Sequence, residues 1–310
     1  MEETRWAERG IGGSGQFRFF EWVLRHLGLV RAYHLSYFGT LWYVLFYPSI
    51  RKRCRPYLGR RFPQRRGSVG RMLDTYRLVR AFGITLVDMA ATGVLGPEAL
   101  TVDSPDRLRL RELAAGDKGF ILLHCHVGCW QVGMSTLGNL GKRVSVVLIP
   151  EPRTLAMFAG RDASVIDPRT GLAGVMQMTD ALLRGEIVAM MGDRTFGDEH
   201  NCVPIRFLGG TVQLPITPYR LASASGVPVV LVTVPKITRR GYELRLNQVI
   251  EVPPGLGRVA ENYAPYAQKF ADGLEEFVRK YPWQFYNFYD LWLSPGNAQG
   301  ACSPGPDRPQ

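Results

Sequence analysis

Residues 124–131 read HCHVGCWQ, two histidines and two cysteines directly after the apolar run Phe120–Leu123. A histidine in such a place suits a general base, because its ordinary pKa lies close to neutral pH. A base needs a partner that fixes its tautomer, usually a carboxylate. Five positions after His126 stands Gln131 instead. Its carbonyl oxygen can accept a hydrogen bond from Nδ1–H, but it carries no charge, and its amide can turn to present a donor. In the Ser-His-Asp triad, exchanging the acid for its amide costs about 10⁴ in rate. Three readings follow: a slow enzyme, an enzyme in which another acid such as Asp193 supplies the charge, or a protein that binds without catalysis. The same cluster holds zinc-ligand types. On a strand, however, His124 and His126 would point one way and Cys125 the other, and no distant Cys or His pair completes four ligands. No metal is therefore expected, and a zinc-dependent hydrolase stays as a further alternative. Cys125 reads as a small buried hydrophobe and His124 as packing beneath the site.

His126 is placed where a buried strand ends and a helix begins. Gly128 would let another group approach the backbone closely, and free amides at a helix start could hold a developing oxyanion. Strands are expected at 119–124, 144–149, 163–166, 186–191, 203–207, 227–234 and 242–250. Helices are expected at 71–93, 128–139, 171–184, 216–225 and 259–280. This alternation predicts an α/β fold, a largely parallel mixed sheet flanked by helices, with the chemistry beyond the carboxyl ends of its strands. No GxxxxGK[ST] or GxSxG motif occurs. The block WQFYNFYDLW, 283–292, has six aromatics in ten residues and is expected to pack on the sheet. Asp290 within it is a further candidate partner for His126.

The net charge of +11 is unevenly spread. Residues 1–80 hold 16 Lys/Arg against 5 Asp/Glu, and the remaining 230 residues hold 22 of each. From Leu35 to Pro48 no residue is charged, and Tyr37, Trp42, Tyr43 and Tyr47 fall in this run, which RKRCR (51–55) follows. The run is too short to span a bilayer, which takes roughly 20 residues. Aromatics beside arginines suit an interfacial anchor instead. Nucleic acid is not expected as a partner, since the aromatics are bunched apart from the basic residues. The expected organisation is a basic, aromatic-rich membrane-associating region at 1–66, an α/β domain at 67–293 and a disordered Pro/Gly-rich tail at 294–310. Five cysteines without a framework spacing predict a reducing compartment, and the polar start predicts no secretory leader.

HVGCWQ resembles the H-x-G-x-W-E form of the histidine-x4-acid motif of the bacterial lipid A and glycerolipid acyltransferases. RWAERGIGGSGQFRFFEWVLRHLG, MGDR (191–194), FLGGTVQLPITPYRLASASGVPVVLV (207–232) and YPWQFYNFYDLW (281–292) resemble further blocks of that superfamily. The resemblance covers nearly all of the chain except the tail. It implies thioester-dependent acyl transfer from acyl carrier protein or acyl-CoA to a hydroxyl or amine of a lipid or glycolipid, without a cofactor, at the cytoplasmic face of a bacterial inner membrane. It casts His126 as the base, Gln131 as its weakened orienter, and the backbone of Val127, Gly128 and Cys129 as the oxyanion donors. Asp193 and Arg194 correspond to the acceptor-binding block, with Arg194 as a clamp for phosphate or sugar. The departure from the family pattern is Gln131. A non-catalytic lipid-binding or scaffold member of the same fold is the alternative.

Overall fold

The computed structural model describes residues 14–65, 67–137, 140–150, 163–194 and 201–292. The tail expected at 294–310 lies outside the described residues.

The central strands are β2 (Phe120–His124), β5 (Ile187–Met191) and β8 (Val229–Thr233). Their side chains are buried almost throughout, as strands covered by helices on both faces require. With β3 (Val144–Val147), β4 (Ala163–Ile166) and β10 (Arg245–Ile250) they form one sheet in the order β10-β8-β2-β5-β3-β4. All neighbours are parallel except β10 and β8, which are antiparallel. The chain is a mixed, largely parallel α/β structure.

Strand alternation splits the core in two. Ile121, Leu123, Val188, Met190, Val229 and Leu231 share one cluster with Phe270, Leu274 and Phe277 of α8 (Ala264–Lys280). Phe120, Leu122, Ile187, Ala189, Val230 and Val232 share the other with residues of the N-terminal helices. Each large side chain so buried contributes about 1.5–3 kcal/mol. The α8 contacts recur every three or four residues, and Pro265 stands in its first turn, where a missing N–H costs nothing.

The N-terminal layer comprises α1 (Ser14–Phe46), α2 (Pro48–Arg61) and α3 (Ser68–Val94). Gly28 interrupts α1 with φ 77° and ψ 172°. The second half of α1 crosses α3 closely: a Cβ on Gly83 would sit 2.7 Å from Thr40 Cγ2 and 2.8 Å from Ser36 Oγ. Tyr33 of α1 and Asp88 of α3 reach the α/β part directly. Asp88, fully buried, accepts hydrogen bonds from Tyr33, from Tyr242 and from Lys236 Nζ at 2.6 Å.

Two sequence expectations need correction. The segment 203–207 is a strand, β6 (Cys202–Phe207), but it pairs with β7 (Gly210–Pro215) in a separate antiparallel hairpin outside the main sheet. Leu208 (φ 47°) and Gly209 (φ 71°) form its two-residue turn, a left-handed pair that matches strand twist. The segment 242–250 is divided. Its first part is β9 (Gly241–Glu243), which pairs in parallel with β1 (Thr101–Asp103), and only β10 joins the sheet edge. The helices α4 (Arg107–Ala115), α5 (Trp130–Leu137), α6 (Leu172–Leu183) and α7 (Thr217–Ser225) complete the described elements. Of these, α4 was not expected.

Candidate active site

Strands β8, β2 and β5 are neighbours, so their carboxyl ends bring together three stretches far apart in sequence: Val234, residues 125–129 and residues 192–194. Beyond β2 the chain makes a three-residue turn in which Val127 N–H donates to Cys125 O at 2.7 Å. Gly128 follows with φ 57°. A Cβ there would lie 2.1 Å from the Val234 carbonyl, so only glycine allows the turn to lie against β8.

Asp193 follows the end of β5. It is buried, and it holds His126 at two places. The backbone N–H of His126 donates to Oδ2 at 3.1 Å, and the ring Nδ1 lies 2.9 Å from Oδ2 and 3.1 Å from Oδ1. Nδ1 is thereby the protonated nitrogen, because an ionised carboxylate can only accept. The His126 side chain is 28% exposed against 2% for Asp193, so the far edge of the imidazole meets the surface while the acid stays dry. Among the described residues, Nε2 takes no hydrogen bond. Burial alone would raise the Asp193 carboxyl. The His126 charge, its ring hydrogen bond, Arg194 and the His126 N–H together outweigh burial and hold it well below the usual carboxylate range.

Gln131 is not brought to His126. Helix α5 begins only at Trp130, after the Gly128 turn, and the Gln131 Oε1 lies 3.7 Å from the Cys129 thiol, which donates to it. The acid partner in this structure is Asp193. Asp290 is not part of the pair; it accepts from the backbone N–H of Trp292 at 3.1 Å.

The N–H groups of Val127, Gly128 and Cys129 each donate to a protein carbonyl: Cys125 at 2.7 Å, Gln284 at 3.0 Å and Val234 at 2.9 Å. An oxyanion held by this turn would first have to break one of these bonds. What approaches Gly128 closely is the chain's own Val234 carbonyl, just past β8.

The aromatic block, expected only to pack, builds one wall of the site. Val127 and Phe285 form an isolated bridge, Gly128 N–H donates to Gln284 O, and Tyr286 N–H donates to His126 O at 2.8 Å. The Gln284 side chain then grips the far side. Its Oε1 accepts from Lys236 N–H at 2.8 Å and its Nε2 donates to Lys236 O at 2.9 Å. Asn287 Nδ2 donates to Asp193 Oδ2 at 3.2 Å, and Asn287 Oδ1 accepts from Arg194 Nη2 at 3.1 Å. The Arg194 guanidinium lies over the Tyr289 ring, 5.3 Å from its centre. Sequence reasoning missed Gln284 and Asn287. Two side-chain amides in an otherwise aromatic run were the available signal.

His124 is buried, stacks on Trp130 at 4.7 Å and 18°, and is pushed down to about 3, chiefly by burial. Burial likewise raises the thiol of Cys125 and pushes that of Cys129 up to about 12, so neither is a thiolate at neutral pH. Among the described residues, no group of three or more His, Cys, Asp or Glu is placed to hold a metal ion.

A strand-end histidine, 28% exposed and backed by a dry carboxylate, stands at the carboxyl edge of a doubly covered α/β sheet. The sequence model of the bacterial lipid A biosynthesis acyltransferase family matches residues 18–294, nearly the whole chain, and the chain belongs to that family. It is therefore an acyltransferase of lipid biosynthesis. Among solved structures it is similar to the 1-acyl-sn-glycerophosphate acyltransferase PlsC from Thermotoga maritima. The two share 15% identity over 84% of this chain and 97% of that one, with a TM-score of 0.38. No curated protein matches the sequence.

Proposed function

We propose that the protein transfers a fatty acyl group from acyl carrier protein or acyl-CoA to a hydroxyl or amine of a lipid or glycolipid, with His126 as general base. The observation that carries this reading is the His126–Asp193 pair. Asp193 holds the proton on Nδ1 and leaves the Nε2 lone pair facing outward. The acceptor O–H or N–H gives its proton to Nε2 as its heteroatom attacks the thioester carbonyl carbon. The imidazolium that forms is stabilised by the buried carboxylate. When the tetrahedral intermediate collapses, the carbon–sulfur bond breaks and the leaving thiolate takes the proton back. The new ester or amide and the free thiol then leave, and the base is neutral again.

The alternative of a non-catalytic lipid-binding member drew on the missing acid at 131, and Asp193 removes that motive. Arg194, whose guanidinium lies beside the pair, would serve as the clamp on the acceptor headgroup.

The proposed setting is peripheral association with the cytoplasmic face of a bacterial inner membrane. Among the described residues no helix is long and apolar enough to cross a membrane. Phe19, Trp22, Phe38, Trp42, Phe46 and Tyr47 of the first helices are exposed, Phe38 at 72%, and basic residues of α2 follow directly. This pairing of aromatics with positive charge favours an anionic lipid surface.

The deciding experiment measures acylation of a bacterial lipid extract with acyl-CoA or acyl-ACP as donor. His126→Ala is expected to abolish it while vesicle binding persists. Undiminished acylation by His126→Ala overturns the base assignment.

A further inference from the structure

We infer that Asn287 is a positioning residue that keeps Asp193 committed to His126 by standing between Asp193 and Arg194; this rests on the reading of His126 as the base. Arg194 follows Asp193 directly in the chain, and its planar fork is the natural bidentate partner for a carboxylate. A guanidinium that captured Asp193 would compete with the imidazole for the same oxygens. The Asn287 amide occupies the intervening place. It is 1% exposed, with Nδ2 on Asp193 Oδ2 at 3.2 Å and Oδ1 on Arg194 Nη2 at 3.1 Å.

Only one orientation of the amide suits both neighbours. The guanidinium has no acceptor and the ionised carboxylate has no donor, so a flipped amide would face like against like on both sides. Asn287 thus gives Arg194 an acceptor and Asp193 a second neutral donor beside the His126 N–H. It transfers no charge to the acid. Its register follows from the segment it rides on, because Tyr286 N–H holds His126 O and Gln284 O holds Gly128 N–H. The amide that orients the acid and the backbone that holds the base are therefore one short stretch of chain. Asn287 touches Asp193 and not the imidazole, so it acts through another residue.

Nitrogen-15 NMR of the histidine rings in the full-length protein tests this without any substrate, with His126→Ala assigning the His126 signals. In the wild type, His126 is expected as the Nδ1–H tautomer. Asn287→Ala, and Asn287→Leu as a variant of closer volume, are expected to move it towards a mixture of tautomers. In the acylation assay they should lower kcat about 10- to 100-fold, by analogy with the loss of a hydrogen-bonding partner behind a metal ligand, with KM for the thioester little changed.

Three results would overturn the inference. One is an Nε2–H tautomer in the wild type. Another is a tautomer unchanged in both variants, each shown to be folded by its thermal transition. The third is a raised KM at unchanged kcat, which would make Asn287 a substrate contact. If His126→Ala kept full acylation, the base assignment would fall while the NMR result on Asn287 stood by itself.

Discussion

The carbonyl of Val234 lies where a side chain on Gly128 would begin, 2.1 Å from an ideal Cβ. The turn that carries His126 and the end of β8 are in contact through the one residue type that permits it, at a φ of 57° that L side chains rarely adopt.

Gly128→Ala should therefore damage both stability and activity. The left-handed conformation alone costs on the order of 1–3 kcal/mol for a residue with a side chain, and the contact with backbone adds to it. Urea unfolding should show a midpoint well below the wild type. A normal midpoint with normal acylation would mean that β8 and the turn can separate freely.

Asp193→Asn keeps the shape of the acid and removes its charge. By analogy with the triad, acylation should fall by about 10²–10⁴. Gln131→Ala should cost far less, because Gln131 touches the Cys129 thiol and not His126. Rates measured side by side at neutral pH decide this. A larger loss at 131 than at 193 would return the orienting role to the position that the spacing suggested.

His124 predicts an acid-sensitive stability. Its folded value, about 3, lies below its ordinary 6.5. Between those values the unfolded chain binds a proton that the folded chain refuses. Stability is therefore full above pH 6.5 and declines as pH falls through the window, by at most about 1.4 kcal/mol per pH unit. His124→Phe keeps a ring against Trp130 and removes the titration. The drop in melting temperature from pH 7.5 to pH 5 should be smaller in the variant, and an equal drop would assign acid sensitivity elsewhere.

Lys236 is 16% exposed and its ammonium pairs with the fully buried Asp88. Asp88→Ala would leave a mostly buried cation without its counter-ion, a change that costs about 3–5 kcal/mol. The same substitution also takes the Asp88 acceptor from the hydroxyls of Tyr33, which keeps Arg239 O, and of Tyr242. Adding Lys236→Met should recover part of the loss in a denaturant titration. If the double variant is as unstable as Asp88→Ala, the hydroxyls and not the ion pair dominate.

Membrane association is best tested by point changes, since deleting residues 1–66 would also remove the buried Val23, Leu24, Tyr33, Cys54 and Tyr57. Trp22→Ser, Phe38→Ser and Trp42→Ser combined should weaken binding to phosphatidylglycerol vesicles by at least about tenfold, the equivalent of 1.4 kcal/mol. The remaining binding should fall with added salt. Undiminished cosedimentation would place the contact elsewhere.

The periodic parts of this structure were legible in the sequence. The runs at β2, β5 and β8 are apolar because both faces of the sheet are covered, and the residues after them could be named as site residues for that reason. The pairing of His126 with Asp193, 67 positions apart, was open only as one of three readings. Chain order does not reveal that β5 inserts beside β2. The five-residue spacing to Gln131 misled because the Gly128 turn postpones α5 to Trp130. Residues 284–289 form no regular helix or strand, so their backbone bonds to the turn left no periodic trace, and the aromatics around Gln284 and Asn287 masked two amides with polar work.

The grip of residues 284–287 on the turn and on Asp193 also sets an order of events during synthesis. A growing chain that has released β2 and β5 from the ribosome owns a histidine and an acid but lacks the segment that closes around them. The pair is enclosed only once Asn287 has cleared the exit tunnel, more than 150 residues after His126 was joined.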